Sequence, residues 1–591
     1  MNFVNEEWSD SGTADVATAK ERSDFAGTSK KKETKMEYKE IEPCAKKVDG
    51  GSFWQKDYKN FRVCVYKPFS SLNGDILNYG FMAPYLVVFA ENDLCESEMI
   101  DFAEKTGLAQ IAKSFDSSVV FVRPLINGKT CDWDNASGDI LSELISNSRI
   151  HQYYKDGYVV ANNRFTKSLD GYFIRGAIFR LCLFGFGKSA DFIAKNYLTH
   201  FEGDGLWGRS DLAPATCFLE NLSVVPENCA NDIPVVSYKN DEKINDFFAA
   251  KCDHFLKKDD IDFVRDFYDF AKKFRRMNGP LQIDKDLEKD GLVIKPHIFT
   301  VKTSADNLGD DKGTENHKIG AFAFYNKGLF DAGKKAVPLV LGFHGGGDSC
   351  FFFATMAGWA NIAHKNDFLF VAIENHLNST ATEMIEVLEE LKKIYNIDET
   401  KIYSTGFSMG GCKTWDFVQE YPEVFAAAAP MDATFDVGQN VYGQNVQGGI
   451  NTAISVPTFY AGGEITPLPE LPFQEQKCLD RMAYALKINK ATAKYDVILE
   501  DAANWKNKIW GIDGDFTIKA FDNSRNATLT MELFKNNEDK IYNIFASISE
   551  QGHDCREHTC EHAWHFMNEF SRIDGKIIGG DKDKIIEKMK L

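Results

Sequence analysis

The sequence predicts an α/β protein built as two tandem copies of one fold, each a mostly parallel sheet covered by helices. Three observations carry this. The chain has 591 residues, more than one ordinary core accommodates, so two domains of roughly 250 residues each are expected. Short β-branched and aromatic runs alternate with amphipathic helical patterns from about Ile41 to the end, the pattern of strands crossed over by helices. Finally, five segments of the first half recur in the same order in the second.

Taken in order, Ala83–Phe89 (APYLVVF) matches Val337–Phe343 (VPLVLGF), both reading as buried strands with a proline near the start. Ser118–Val122 matches Phe368–Ala372. Leu183–Ser189 (LFGFGKS) matches Ser404–Gly410 (STGFSMG), each a strand running into a tight turn and a helix. Ile233–Tyr238 matches Val456–Tyr460, and Phe274–Gly279 matches Phe570–Gly575. Each match alone is weak; their shared order makes the repeat. The polar stretch Asp306–His317 reads as a surface loop early in the second copy, which puts the boundary near Gly279. The expected layout is a mobile tail over 1–40, one copy over 41–279 and the other over 280–591.

Composition narrows the function. Hydrophobic residues make up 44% and charged residues 26%, so the chain folds. The net charge of −19 makes nucleic acid and anionic membranes poor partners. No run approaches the roughly 18 apolar residues of a membrane span, and the polar first forty residues do not read as a secretory signal. The 13 cysteines follow no disulfide-scaffold spacing, so a reducing, cytoplasmic setting is expected.

The second copy holds the chemistry. Gly406-Phe407-Ser408-Met409-Gly410 fits G-x-S-x-G, with a strand (Lys401–Thr405) before it and a helix, Cys412 to Tyr421, after it. Glycines flank the serine because side chains there would crowd a sharp strand-to-helix turn. Serine is a poor nucleophile until a base, an orienting acid and oxyanion donors surround it. His344-Gly345-Gly346-Gly347 follows a buried strand and presents backbone amides: with the N–H of Met409, an amide of Gly345 or Gly346 forms the oxyanion hole, while His344 is structural. Glu464, just past the strand Pro457–Ala461, is the expected acid, with Asp432 and Asp480 as rivals. His553, after the last strand, Ile541–Ser549, is the expected base. Cys555, His558, Cys560, His562 and His565 raise a zinc site as an alternative, but no second ligand cluster pairs with them, so neither metal nor cofactor is expected.

Together with His344–Gly347, the motifs Ala357-Gly358-Trp359-Ala360, Lys401–Gly411 and Tyr421–Ala427 resemble the esterase branch of the α/β-hydrolases that includes polyhydroxybutyrate depolymerases and feruloyl esterases. The resemblance covers roughly Val337 to Phe570 and implies Ser408, Glu464 and His553 as triad. The family usually carries Asp in the acid place and an export signal, and about 80 extra residues follow Glu464 here. That segment, 465–540, begins Pro-rich and contains Trp505 and Trp510; it is expected to form a lid whose rings suit a phenolic acyl group, or else to hold ordinary packing aromatics.

The first copy lacks this equipment. Gly187 stands at the nucleophile position and Ala90-Glu91-Asn92-Asp93 replaces the oxyanion loop. Ser189 lies two residues late, and Cys182 stands where a phosphate loop needs its first glycine. Asp241 remains at the acid position and His254 is the nearest base. A catalytically inactive copy is expected, either shaping the entrance of the active one or making a homo-oligomer interface. The expected activity is hydrolysis of a small-molecule or oligomeric carboxylic ester through an acyl-serine. Peptidase or acyltransferase chemistry on the same triad, or a non-catalytic binding or scaffold role, are the alternatives.

Overall fold

The computed structural model describes residues 45–590 apart from 71, 73–76, 148–153, 156–157, 160–173, 204–210, 277–279, 303–316, 347, 375, 377–378, 441–444, 447–448 and 466–474. The expected tail over 1–40, the boundary at Gly279 and most of the loop Asp306–His317 lie outside the described residues. Those described divide into two compact units between Asp286 and Leu287.

In the first unit a ten-stranded sheet runs in the order Lys46–Val48, Gly51–Asp57, Phe61–Pro68, Val119–Ile126, Pro84–Phe89, Ala177–Phe186, Thr216–Glu220, Val235–Tyr238, Phe255–Lys258, with Lys129–Thr130 paired beside Val119–Ile126. The opening strands are antiparallel; from Val119–Ile126 onward every pairing along this order is parallel. Parallel strands are covered on both faces, which is why they read as continuous apolar runs. Along Pro84–Phe89, Tyr85, Val87 and Phe89 enter one core cluster while Leu86 and Val88 enter another, the alternation a strand imposes.

The second unit repeats the scheme. Its order is Leu292–Val301, His317–Asn326, Leu369–Ile373, Val337–Phe343, Ile397–Phe407, Ala427–Met431, Thr458–Gly463, Ile541–Ile548, followed by the antiparallel strands Ala527–Lys535 and Phe516–Asp522. In both units an antiparallel hairpin leads in, and the second parallel strand in sequence lies between it and the first. Even a local irregularity recurs: the pairing slips at Pro84/Tyr85 and again at Val337/Leu339. The protein is thus two tandem α/β-hydrolase-like domains, each a mostly parallel sheet flanked by helices.

All five sequence matches fall on corresponding elements. The fifth explains itself structurally. Phe274–Arg276 and Phe570–Ile573 each open a two-stranded hairpin, and Arg276 and Arg572 clamp equivalent backbone. Arg276 donates from Nε to the Pro214 carbonyl (2.7 Å) and from Nη2 to the Asp232 carbonyl. Arg572 donates to the Phe425 carbonyl (2.9 Å) and the Ser455 carbonyl (2.7 Å). These carbonyls lie just ahead of corresponding strands in the two sheets. A guanidinium bonded to several carbonyls ties this hairpin of each copy to its sheet.

The stretch expected to form a lid is mostly core in its described part. Gln476–Ile488 is a helix and 516–535 supplies the two strands that widen the sheet. Trp505 and Trp510 are buried, the latter against Tyr460 and Phe545, so their rings pack the domain. No helix among the described residues is long and apolar enough to cross a membrane.

Candidate active site

The strand Ile397–Phe407 ends at Ser408, and the helix Met409–Glu420 begins immediately after it. Ser408 takes φ 53°, ψ −121°, a conformation costing a non-glycine residue of order 1–3 kcal/mol and characteristic of functional turns. Surrounding packing holds it: the Ser408 amide donates to the Met431 carbonyl (2.9 Å) and its carbonyl accepts from Cys412 (3.0 Å). The glycines are obligatory. A methyl group at Gly406 would lie 2.2 Å from the Gly410 carbonyl oxygen, and one at Gly410 would lie 2.0 Å from that of Phe343.

The loop after Val337–Phe343 comes against this turn. A methyl group at Gly346 would sit 2.6 Å from the Met409 sulfur, and one at Gly345 would sit 3.1 Å from the Phe407 ring. Gly345 and Gly346 therefore lie against Phe407 and Met409 on either side of Ser408, while Gly347 lies outside the described residues. His344 shapes the loop from within: its ring nitrogens face the carbonyls of Gly345 and Glu374, both at 2.7 Å, and its own carbonyl meets Nε2 of the buried His376 at 2.9 Å. Asp348 closes the loop, its amide donating to the Gly345 carbonyl (3.3 Å). Loss of solvent pushes its carboxyl up to about 6, against the pull of His344 and His553.

His553 lies at the same end of the sheet, its ring packed at 4.6 Å, tilted by 35°, against Phe407, the residue before Ser408. Its Nδ1 is 3.9 Å from Oδ2 of Asp432, which follows Ala427–Met431, the strand directly after the nucleophile helix. Asp432 is fully buried while the His553 side chain keeps 19% of its surface. The carboxylate is fixed by backbone donors: Gly463 N–H on Oδ1 (3.0 Å) and Asp554 N–H on Oδ2 (3.1 Å). Its Oδ2 thus holds the turn bearing His553 while facing the ring.

Glu464, the expected acid, ends the next strand; its carboxylate accepts from Ser547 (2.9 Å) and its amide donates to Ile548, ties to the adjoining strand, while the carboxylate 3.9 Å from His553 Nδ1 is that of Asp432. Asp480 lies on the helix Gln476–Ile488, accepting from Gln476. The histidines considered for zinc are otherwise engaged: His562 Nδ1 meets the His558 carbonyl at 2.8 Å, and burial lowers its pKa to about 4. Among the described residues no group of three His, Cys, Asp or Glu side chains is disposed to hold a metal ion.

The first unit keeps the turn with glycine in the place of the serine. Gly187 adopts φ 52°, ψ −118° ahead of the helix Lys188–Asn196, and its amide donates to the Glu220 carbonyl at 2.9 Å, reproducing the backbone of Ser408. A methyl group on Gly187 would lie 2.0 Å from Oε1 of Glu91. That same oxygen is 3.4 Å from the Lys188 amide, the counterpart of the Met409 amide. A carboxylate thus fills the place where a nucleophile and an oxyanion would meet. Asn221 (φ 52°) takes the place of Asp432 (φ 45°). Asp241 caps the helix Glu242–Lys251 by accepting from Ile244 (3.0 Å). His254 precedes its strand, at the end of the sheet opposite the turn, and packs tilted against Phe274 at 4.8 Å. Ser189 donates inward to the Phe89 carbonyl at 2.6 Å.

No family model matches the chain. A bifunctional acetylxylan esterase/xylanase of Neocallimastix patriciarum is 26% identical over 135 residues, which is 21% of this chain and 19% of that protein; the chain therefore spans about a fifth of this curated relative's length. Solved structures with likeness include an acetyl xylan esterase from Aspergillus awamori (12% identity, TM-score 0.29, 45% of this chain and 98% of that one). A feruloyl esterase module from Clostridium thermocellum complexed with sinapinate is 13% identical, with TM-score 0.28, over 47% of this chain and 87% of that one. The S-formylglutathione hydrolase FrmB from Staphylococcus aureus is 14% identical, with TM-score 0.25, over 34% and 86%.

Proposed function

We propose that the second unit is a serine carboxylic-ester hydrolase working through an acyl-serine intermediate, with Ser408 as nucleophile, His553 as base and Asp432 as orienting acid. The observation that carries the reading is the strained Ser408 turn at the sheet end where His553 packs against Phe407 and faces a buried carboxylate. His553 takes the Ser408 proton as Oγ attacks the ester carbonyl, then returns it to the departing alcohol. Asp432 stabilises the imidazolium formed in between. The negative charge on the tetrahedral oxygen falls to the amides of Met409 and of Gly345 or Gly346, a contribution of a few kcal/mol in such sites. Water then repeats the cycle on the acyl-enzyme.

The Phe407 ring beside His553 offers an apolar wall, which favours phenolic, feruloyl-type esters over hydroxyalkanoate esters. The first unit is a degenerate copy: Gly187 supplies no nucleophile, and the Glu91 carboxylate opposes any oxyanion. A fluorophosphonate probe tests the chemistry directly. The protein is expected to be labelled at Ser408 alone, and Ser408→Ala to abolish labelling while the melting transition persists. An unlabelled wild-type protein refutes the reading. A panel of p-nitrophenyl, feruloyl, galloyl and hydroxyalkanoate esters then ranks acyl groups by kcat/KM.

A further inference from the structure

Among the described cysteines two pairs that form no disulfide have their sulfurs in contact. Cys229 and Cys252 lie 3.3 Å apart in the first unit; Cys555 and Cys560 lie 3.5 Å apart in the second. The second pair is fully enclosed, with both sulfurs against the Met431 thioether, and burial with its thiol partner drives Cys555 far up. Such thiols are inert to reagents in solution.

The first pair is built differently. Cys229 is partly exposed on the loop between Thr216–Glu220 and Val235–Tyr238, where Ser223, Val224, Val225, Glu227 and Asn228 are exposed. Cys252 is the C-cap of the helix Glu242–Lys251. One sulfur therefore sits on a surface loop and the other on a fixed helix end. A disulfide needs about 2.05 Å between sulfurs, so closure asks the loop to give by little more than an ångström. The Cys252 thiol, hydrogen-bonded to its partner, holds Cys229 below the ordinary thiol range; burial and Asp232 oppose this, and Lys251 adds to it. The same contact drives Cys252 up. Cys217, the remaining thiol facing the pair, is wholly buried and raised by burial. An accessible sulfur with enhanced thiolate character beside a protonated partner is the arrangement of an attacking and a resolving cysteine.

We propose that Cys229 and Cys252 are a redox-active dithiol that closes to a disulfide by exchange with a low-molecular-weight disulfide such as oxidised glutathione. The Cys229 thiolate attacks one glutathione sulfur and breaks its S–S bond, leaving a mixed disulfide and one glutathione thiolate, which takes up a proton. Cys252 gives up its proton, attacks the Cys229 sulfur and expels the second glutathione. Two protein thiols are oxidised and one small disulfide is reduced to two thiols. The closed loop, 229 to 252, encloses a strand and a helix of the first unit, and the reaction touches no residue of the proposed triad.

The experiment exposes the full chain, under native conditions, to oxidised glutathione. The reaction is quenched with acid, free thiols are alkylated, and peptides are mapped by mass spectrometry without reduction. The expected result is a Cys229–Cys252 cross-link that forms before any modification of the exposed Cys95, with Cys555 and Cys560 alkylated only after unfolding. Cys252→Ser is expected to halt at the glutathionyl adduct on Cys229, and Cys229→Ser to remove the fast reaction altogether. Three outcomes overturn the proposal: Cys229 reacting no faster than Cys95, a persistent glutathionyl adduct on wild-type Cys229, or prior cross-linking of Cys555 to Cys560.

Discussion

The choice between two carboxylates is the sharpest test of the site. In Asp432→Asn the side chain keeps its size, but its amide nitrogen cannot accept a hydrogen bond. Two backbone donors now point at the Asp432 carboxylate, from Gly463 at 3.0 Å and Asp554 at 3.1 Å, and an amide oxygen can serve only one of them in that geometry. Leaving the other buried and unsatisfied costs about 1–3 kcal/mol of stability. The catalytic cost is larger. With a neutral amide opposite Nδ1, the imidazole loses the partner that sets its tautomer and stabilises its cation, a change worth about ten-thousand-fold in kcat for serine triads, or about 5.5 kcal/mol of barrier. Glu464→Gln should change kcat/KM by no more than about threefold, since its carboxylate is spent on Ser547. The assay is steady-state hydrolysis of p-nitrophenyl acetate, with a melt to show that each variant is folded and Ser408→Ala as the baseline. A folded Asp432→Asn enzyme with near-normal kcat, or a Glu464→Gln enzyme at the Ser408→Ala baseline, would overturn the assignment.

Three further outcomes follow from named contacts. Gly346→Ala pushes a methyl group toward the Met409 sulfur at 2.6 Å; displacing an amide of the oxyanion hole should lower kcat by roughly ten- to a hundredfold with little change in KM, read by the same esterase assay. Asp348, lifted from the ordinary 3.8 to about 6 by loss of solvent, makes stability fall as pH rises from about 4 to 6, because the unfolded chain ionises first; the effect is at most roughly 3 kcal/mol. Asp348→Asn should flatten that slope in urea melts taken across the window, and an unchanged slope would count against the burial argument. Gly187→Ser drives its side chain into Glu91, 2.0 Å from the first added carbon, so it should destabilise the first unit. Pairing it with Glu91→Gly should recover the part of the melt lost to the clash, with the strain of the turn remaining, yet leave the serine unlabelled by fluorophosphonate, because Asn221 stands where Asp432 does in the second unit.

What the sequence disclosed and what it hid divide along a physical line. The strands Pro84–Phe89 and Val337–Phe343 were legible because two-sided burial writes itself as an unbroken apolar run, and the repeat followed from them. The Ser408 turn was legible for a local reason too: Gly406 and Gly410 are demanded by atoms within a few residues or on the neighbouring strand. Nothing local distinguishes Asp432 from Glu464. Each ends a parallel strand of the same sheet, and the strands are neighbours. The decision is made at long range, by the 551–555 turn that brings the Asp554 amide and the His553 ring to one carboxylate. The strands at 516–535 are hidden for a different reason. Phe516–Asp522 alternates exposed and buried residues, the period of a half-covered strand, but it is short and follows a stretch whose prolines and tryptophans carry no strand period.

The Gly187 turn of the first unit shows what the sheet packing demands of the backbone. That Gly187 replaces the nucleophile could be read from the aligned segments. That its backbone keeps φ 52°, ψ −118°, within a few degrees of Ser408, could not. A glycine reaches such a conformation freely, whereas serine at 408 is strained there. The first unit thus has the same turn without the strain, and the Glu91 carboxylate lies against the Lys188 amide. A serine at 187 would meet strain and the Glu91 carboxylate together. Reversal of Gly187 alone should for that reason be measurably worse for stability than reversal of Gly187 and Glu91 together, which a pair of melts resolves.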